Sequence, residues 1–557
     1  MSARKSSAGK SQFLGFLIGT TLLVGSGIGI YLFLRGFLGS EGNSPLSSAK
    51  VIPAQALIAT YINTDPQAWS KIKQFGTPEA QQIVTKGLQN INQNLFQDSN
   101  ISYEQDIKPW VGGVMIALLP PNPVKAMQSS PSTVQSEPGV LIVVGIKDKL
   151  SALNFANKLK AQKSLQSEES EYKGEKILET RDKGKSTYTT VLQNSYVLLA
   201  PNKQVIENAI NTYKGDPSFA GKENAQNILS NDTGIKDGIA RIYIPDYADM
   251  VQQLTALNPQ AAQLSPQTIQ QLKKIKSIVA NMGIDDAGIR LRAVFNIDSQ
   301  LSKFQYEMTP GKILAEFPTD TFAVFNGQGI KHGWENILEE SKDYPDFQKA
   351  VDQVRQQLKS VNLDLDKEVI GWMDGEFAMG AVKSDQGLLA QVGFGGALVF
   401  DTSDRQTAET TLTKLDAIAK QQSLNVSETN INGKKITEWQ TLQGTLVAHG
   451  WLDNRILFLA IGEPVAQALI DHKGQSIEST DNFKTATASL PKPNGGYFYI
   501  DMEKAITLIE RFAARSQPIP PDTNAMLESM RGFAVTFNSP DKSTNQMEML
   551  LALKPSK

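Results

Sequence analysis

"IPAQALIATYINTDPQAWSKI", Ile52 to Ile72, returns later in the chain as "FPTDTFAVFNGQGIKHGWENI", Phe317 to Ile337. In both, a proline opens an apolar run, a Gly/Asn/Asp-rich break follows, and a tryptophan starts an amphipathic segment. A single match of this kind arises by chance; a register that holds along the chain does not. Trp69 and Trp334 lie 265 residues apart. Val84, Leu88, Ile91 and Leu95 mark one face of a helix, and Phe347, Val351, Val354 and Leu358 repeat that spacing at an offset of 263. "DIKPWVGGVMIALL" pairs with "EVIGWMDGEFAMGAV", placing Trp110 and Trp372 262 apart. Leu153 and Ala156 match Leu412 and Leu415 at 259, and "YKGEKILET" matches "INGKKITEW" at the same offset from Gly174 to Gly433. Val205 and Ile210 precede Val465 and Ile470 by 260, and Leu272 and Ile275 precede Leu527 and Met530 by 255. The offset drifts slowly in one direction, as small loop deletions produce. The chain is one design used twice, with one copy over 51–309 and the other over 310–557.

Each copy is domain-sized, far longer than a solenoid or propeller repeat. In the first, "ALIATYIN" reads as a strand, and Ala68, Trp69, Ile72 and Phe75 as a helical face. The Val84 to Leu95 pattern follows as a longer helix. "GGVMIALLP" and "GVLIVVGIK" are strands, then come a helix over Leu150 to Leu159 and three strands in series, "EKILETR", "STYTTVLQ" and "SYVLLAP". A helix from Val205 to Tyr213, the strand "GIARIYIP" and a helical pair through Ile278 lead to the strand "GIRLRAVFNI". Short turns such as "DKGKS" and "QNS" between strands argue for antiparallel pairing. Strand clusters without strict strand–helix alternation indicate an α+β fold of mainly antiparallel sheet with packed helices. The Pro/Ser-rich stretch from Pro120 to Gly139 reads as a long loop that the second copy lacks, and "QPIPPD" at 517–522 as a break between two helices.

With 557 residues, the chain needs more than one hydrophobic core. A net charge of −2 supplies no electrostatic attraction for nucleic acid. The absence of cysteine excludes disulfides, thiolate metal sites and cysteine nucleophiles. From Gln12 to Leu34 there is no charged residue, and a helix over 13–34 would span roughly 33 Å, enough for a bilayer core. Arg4, Lys5 and Lys10 precede it, so the positive-inside rule keeps residues 1–12 in the cytoplasm and exports the bulk. The apolar stretch is about twice the length of a signal-peptide core, which favours an uncleaved anchor over cleavage near "SSA" at 47–49. Residues 35–50, rich in Gly and Ser, read as the linker. Gly15/Gly19 and Gly25/Gly29 have GxxxG spacing, but glycine is common in membrane helices.

Catalytic signatures are missing. The histidines are His332, His449 and His472, and no two have metal spacing on a helix. His-Gly-Trp occurs at 332–334 and at 449–451, places that the repeat does not equate, so the match reads as coincidence. "AGKS" at 8–11 lacks the first glycine of a phosphate loop, and the glycines near Gly327 and Gly393 miss dinucleotide spacing. Asp364, Asp366 and Glu368 stand close together, as do Asp285 and Asp286. Paired acids serve calcium binding or acid–base work; here, without a calcium-loop glycine, they read as a helix start and a turn. Asp374, in another Asp-Gly pair, reads as a turn as well. The matched tryptophans read as large anchors fixing helices to a sheet rather than as walls of a pocket.

The anchor, the stretch "VIPAQALIATYINTDPQAWSKIKQFGTPEAQ" and the degenerate second copy together resemble a family of cyanobacterial membrane-anchored proteins classed as a domain of unknown function. The resemblance covers essentially the whole exported region, is most specific over 52–80, and carries no catalytic residue. It implies a location in the periplasm or the thylakoid lumen. The expectation is a single-pass, membrane-tethered interaction or scaffold protein. It would have protein partners in or at the membrane, no nucleic-acid partner, no cofactor, no metal and no catalytic residues. The alternative is an extracytoplasmic binding protein for an apolar or lipid-like ligand, which would show an apolar cavity; a hydrolase would need Asp364, Asp366 or Asp285 converging in one cleft.

Overall fold

The computed structural model describes residues 44–83, 86, 103–121, 138–160, 166–182, 185–230, 234–235, 238–256, 264–302, 305–342, 344–472, 474–514 and 518–556. The tail 1–12, the anchor segment 13–34, the linker up to 43, most of the helix read at 84–95 and residues 122–137 of the proline-rich loop lie outside them. Among the described residues no helix is long and apolar enough to cross a membrane. The linker ends sooner than its composition suggests. Pro45–Ala49 is a helix capped by Ser44, with Ser48 and Ala49 buried.

The chain forms two compact units. The first takes its described residues from Met1–Lys73, Pro78–Asn122 and Pro138–Ser230, the second from Gln74–Thr77 and Asn231–Lys557. These limits fall elsewhere than the boundary of the sequence repeat at 309/310. In the first unit, β1 (Ile58–Ile62), β2 (Val111–Leu119), β3 (Gly139–Ile146), β4 (Gln166–Tyr172), β5 (Glu175–Asp182), β6 (Lys185–Leu192) and β7 (Tyr196–Ala200) pair antiparallel in the order β1-β2-β3-β7-β6-β5-β4.

The second unit begins with β8 (Gly238–Ile244), β9 (Ile275–Asp285) and β10 (Gly288–Ile297). It continues with β11 (Thr321–Gln328), β12 (Glu376–Lys383), β13 (Phe394–Asp401), β14 (Asn425–Ile431), β15 (Lys434–Thr441), β16 (Gly444–Trp451) and β17 (Ile456–Ile461). β18 (Tyr497–Asp501), β19 (Met530–Asp541) and β20 (Thr544–Leu553) complete it. Its antiparallel order is β8-β9-β10-β20-β19-β18-β11-β12-β13-β17-β16-β15-β14. From β11 to β14 it repeats the first unit strand for strand. The α+β class and the antiparallel sheet are as the sequence implies.

Local details repeat too. The β4–β5 turn has Lys173 and Gly174 at φ 50° and 80°, and the β14–β15 turn has Asn432 and Gly433 at 48° and 83°. Both are the two-residue turn whose positive φ angles match strand twist. Ile52 accepts a bond from the Phe219 amide at 2.8 Å, and Phe317 from the Ile477 amide at 2.9 Å. Trp110 closes a single π turn, Tyr103–Ile107, by donating its indole N–H to the Asp106 carbonyl at 2.8 Å. Trp372 does the same at Leu365–Val369, bonding the Glu368 carbonyl at 2.9 Å. The acid in each π turn then takes a lysine from the following helix: Lys158 on Asp106 and Lys414 on Glu368, both at 2.6 Å.

Two strands escape the sequence reading. β4, "QSEESEY", has no apolar alternation, because it pairs with β5 alone at the end of its order. β9 is read there as the end of a helical pair, but its strand starts at Ile275. It is hydrogen-bonded on both sides and buried on both faces, so the period-2 signal is lost.

At the β10–β20 pairing, Arg292 stands opposite Glu548. The matched hairpin ends, Asp285 with Gly288 and Asp541 with Thr544, make these two residues equivalent in the repeat. Glu548 is buried; Arg290 Nε donates to it at 3.1 Å, Arg290 Nη2 binds the same oxygen, and Arg292 Nε lies 3.6 Å from the other. Removing the carboxylate leaves two guanidinium groups without it at a half-buried seam. Glu548→Gln is therefore expected to cost about 3 kcal/mol, read as a lower urea midpoint of the full chain in detergent; an unchanged midpoint would count against a structural role for the seam.

Candidate functional site

The core-side face of the second unit's sheet carries Val324, Ala378, Val399, Phe458 and Tyr499, all buried against one another and against the helices Glu463–Asp471 and Asp481–Thr487. On the opposite face, strand register places one apolar residue per strand in a line: Met549, Val535, Phe498, Phe325, Met379, Leu398 and Leu459. At the β17 end this line is covered by a cluster of Trp372, Phe400 and Leu412, the last from the helix Arg405–Gln421. The helix Met502–Ala513 packs against β19, β18 and β11. The middle is open: Phe498 and Phe325 are each 39% exposed and Met379 is 53% exposed. Phe377 meets Phe325 edge-on at 5.8 Å and Phe533 meets Phe498 at 6.3 Å, so the two exposed rings are held in place. Ile509, on the helix 502–513, is exposed as well.

A contiguous group of large apolar side chains in water marks a contact surface, unlike scattered single ones. Covering each would gain about 1 kcal/mol or more at 25 cal/mol per Å². The first unit has the same line as Thr60, Ile116, Ile142 and Leu199, but a buried threonine stands where the second has Phe325.

The acids singled out from sequence are engaged separately. Asp364 caps the π turn, accepting from the amides of Asp366 and Lys367 at 3.0 Å. Asp366 receives Arg355 through Nε at 2.8 Å and Nη2 at 3.1 Å, and the Trp334 indole at 2.8 Å. The arginine holds its carboxyl below the usual range, against the effect of burial. Glu368 is lowered likewise, mainly by Lys414. Asp285 caps its own turn through the Asp286 amide and lies 3.7 Å from Arg290. Asp374 receives the amide and the hydroxyl of Ser403. Trp69, Trp110 and Trp372 are buried anchors, whereas Trp334 is half-buried.

His332 lies 3.2 Å from Glu307, and His472 sits between the carbonyls of Leu469 and Ala315. Sequence reasoning passed over His449. It is buried, and its Nε2 meets Asp416 at 2.8 Å, an oxygen that also accepts the Trp439 indole at 2.7 Å. Burial would raise the Asp416 carboxyl; the bonds from His449 and Trp439 outweigh it and hold it below its usual range. Among the described residues no hydroxyl bonds His449, and no group of three or more His, Asp or Glu side chains is placed to hold a metal. One cleft of mixed character, of about 430 Å³ and lined by Ala54, Gln55, Asn208, Asn211, Pro217 and Lys222 among others, lies in the first unit. A second, of about 470 Å³, lies in the second unit between β14–β16 and the helix 463–471.

The fold and the site define an antiparallel α+β protein with a repeated strand order and an open apolar sheet face. The chain belongs to the family described as "Protein of unknown function (DUF3352)", whose model matches residues 16–553. No curated protein matches it. Among solved structures it is similar to "Structure of crystal form IV of TP0453", at 8% identity over 46% of this chain and 81% of that one, with a TM-score of 0.25. It is also similar to "Structure of crystal form III of TP0453", at 10% identity over 45% and 79%, with a TM-score of 0.24. At such TM-scores the likeness carries no argument.

Because the Asp366 carboxyl is held low, its pairing stabilises the fold fully above the ordinary carboxylate pKa and is lost as pH falls through the lowered one. The pair is about a third exposed, so solvent screening limits the gain to about 1 kcal/mol. Hydrogen-exchange protection factors over 345–369, taken relative to the intrinsic rate at each pH, should therefore fall at acid pH in the parent. In Asp366→Asn they should already be lower at neutral pH, and equal protection in the two at pH 7 would remove this role.

Proposed function

We propose that the protein is a non-enzymatic interaction protein that receives an apolar segment of a partner protein on the open line Phe498–Phe325–Met379. Residues 13–34 would tether it, with the bulk outside the cytoplasm, in the periplasm or thylakoid lumen of the cyanobacterial setting that the resemblance implies. The observation that carries the reading is that line, where strand pairing sets three large apolar side chains side by side in water. Support for a non-enzymatic role comes from the acids, each held by its own structural partners, and from a His449–Asp416 pair to which, among the described residues, no hydroxyl is hydrogen-bonded. The alternative ligand, an acyl chain, draws on the same open face, while the cleft between β14–β16 and the helix 463–471 is polar and the first unit's cleft is of mixed character.

Replacing Phe325, Met379 and Phe498 together by Gln should leave the thermal midpoint within a few degrees, because these side chains are already exposed. Affinity purification from gently solubilised membranes should then lose partners that the parent retains. An unchanged partner set would refute the reading, and saturable binding of a fluorescent fatty acid to the parent alone would transfer the face to a lipid ligand. Topology has a separate test that the cysteine-free sequence makes clean. Leu442→Cys, at a fully exposed turn, should react with an impermeant maleimide from the extracytoplasmic side, and Ser7→Cys only after the membrane is opened; the reverse pattern would overturn the tether.

A further inference from the structure

The two copies differ at one matched polar position, and the difference points to a ligand. In the first unit Glu179, on β5, accepts from Arg181 Nε and from Ser186 Oγ, each at 2.7 Å. Arg181 above all, and then Ser186, brings the Glu179 carboxyl down to about 2. Arg181 stands directly opposite Ser186 on β6. In the second unit the matched cross-strand pair is Gln440 and Thr445, and the matched acid, 259 residues on, is Glu438. A neutral amide thus stands where the first copy has a guanidinium.

Glu438 is only 6% exposed. Gln440 Nε2 donates to its Oε2 at 2.8 Å. Among the described residues no lysine, arginine or histidine forms an ion pair with it. A carboxylate buried without a cation is costly, yet this one lines the polar cleft of about 470 Å³ with Thr429, Asn430, Thr445, Glu463 and Gln467. Glu463, from the start of the helix 463–471, brings a second carboxylate to the same cleft. The lining offers chiefly carboxylate, amide and hydroxyl oxygens. A planar, multiply donating cation matches such a surface, and carboxylate–guanidinium bonds are among the strong ones.

We propose that this cleft binds a guanidinium-bearing ligand, whose cation takes on Glu438 the place that Arg181 holds on Glu179. The site is independent of the apolar face. The cation is either that of a free small molecule or an arginine side chain of a peptide.

Isothermal titration of the full chain in detergent, with L-arginine in one arm and an end-blocked Ala-Arg-Ala peptide in the other, tests this. At least one should bind saturably, and L-citrulline, its uncharged isostere, should not. Binding of the peptide alone assigns the cation to a peptide side chain; binding of free arginine assigns it to a small molecule. Glu438→Gln should abolish binding. Gln440→Arg, which rebuilds the first copy's internal pair, should weaken binding at least about tenfold while raising the thermal midpoint, so a folded variant is available even if Glu438→Gln unfolds. No saturable binding in either arm, equal binding of citrulline, or undiminished binding by Gln440→Arg would overturn the proposal.

Discussion

A strand in the middle of a wide sheet has two faces and no free edge, and where both faces are apolar both need cover. β11, β12, β13 and β18 are hydrogen-bonded on both sides. Their core-side residues are closed off by helices. The opposite faces carry apolar residues too, Phe498, Phe325, Met379 and Leu398 among them, where an antiparallel sheet with one solvated face would alternate to polar ones. Helices 405–421 and 502–513 meet that demand in part, and the interval between them is the open apolar line. The candidate surface thus follows from sheet width and helix placement.

Much of this architecture was legible in the sequence. Repeat spacing located the matched strands and helices, because each copy spells out the same local pattern; strand order, which joins distant strands such as β3 with β7, and the tryptophan-closed π turns emerge only in the structure. β4 was not legible, because a polar end strand looks like a loop. β9 was not, because a strand buried on both faces resembles a buried helix. The beginning of the first unit was misjudged too: "SPLSSA" is polar enough to read as linker, yet its helix buries Ser48 and Ala49.

The site was harder to read. The line Phe498–Phe325–Met379 joins residues from three strands 54 and 119 positions apart, and only register brings them together. The acids showed in the sequence, and so did their roles as caps and turns, since Asp364 and Asp285 bond the amides that follow them. His449 lay hidden because its partners, Asp416 and Trp439, come from a helix and a neighbouring strand. Glu438 stands out only beside Glu179, where the repeat supplies an internal comparison. At the ends of their orders, β4 and β14 carry charged and polar side chains, which discourage further strand addition and leave the sheet faces, rather than those edges, for contact.

The meeting of Arg292 with Glu548 bears on how such a chain differs from a pair of identical subunits. In an isologous homodimer built across the same strand, the residue on the two-fold axis faces its own copy. Any charge there meets its like, which is destabilising. Covalent fusion lifts that restriction, since each half can mutate alone. Opposite charges at the axis are an option open only to the single polypeptide, and they tie its halves together in a way that two separate copies could not reproduce.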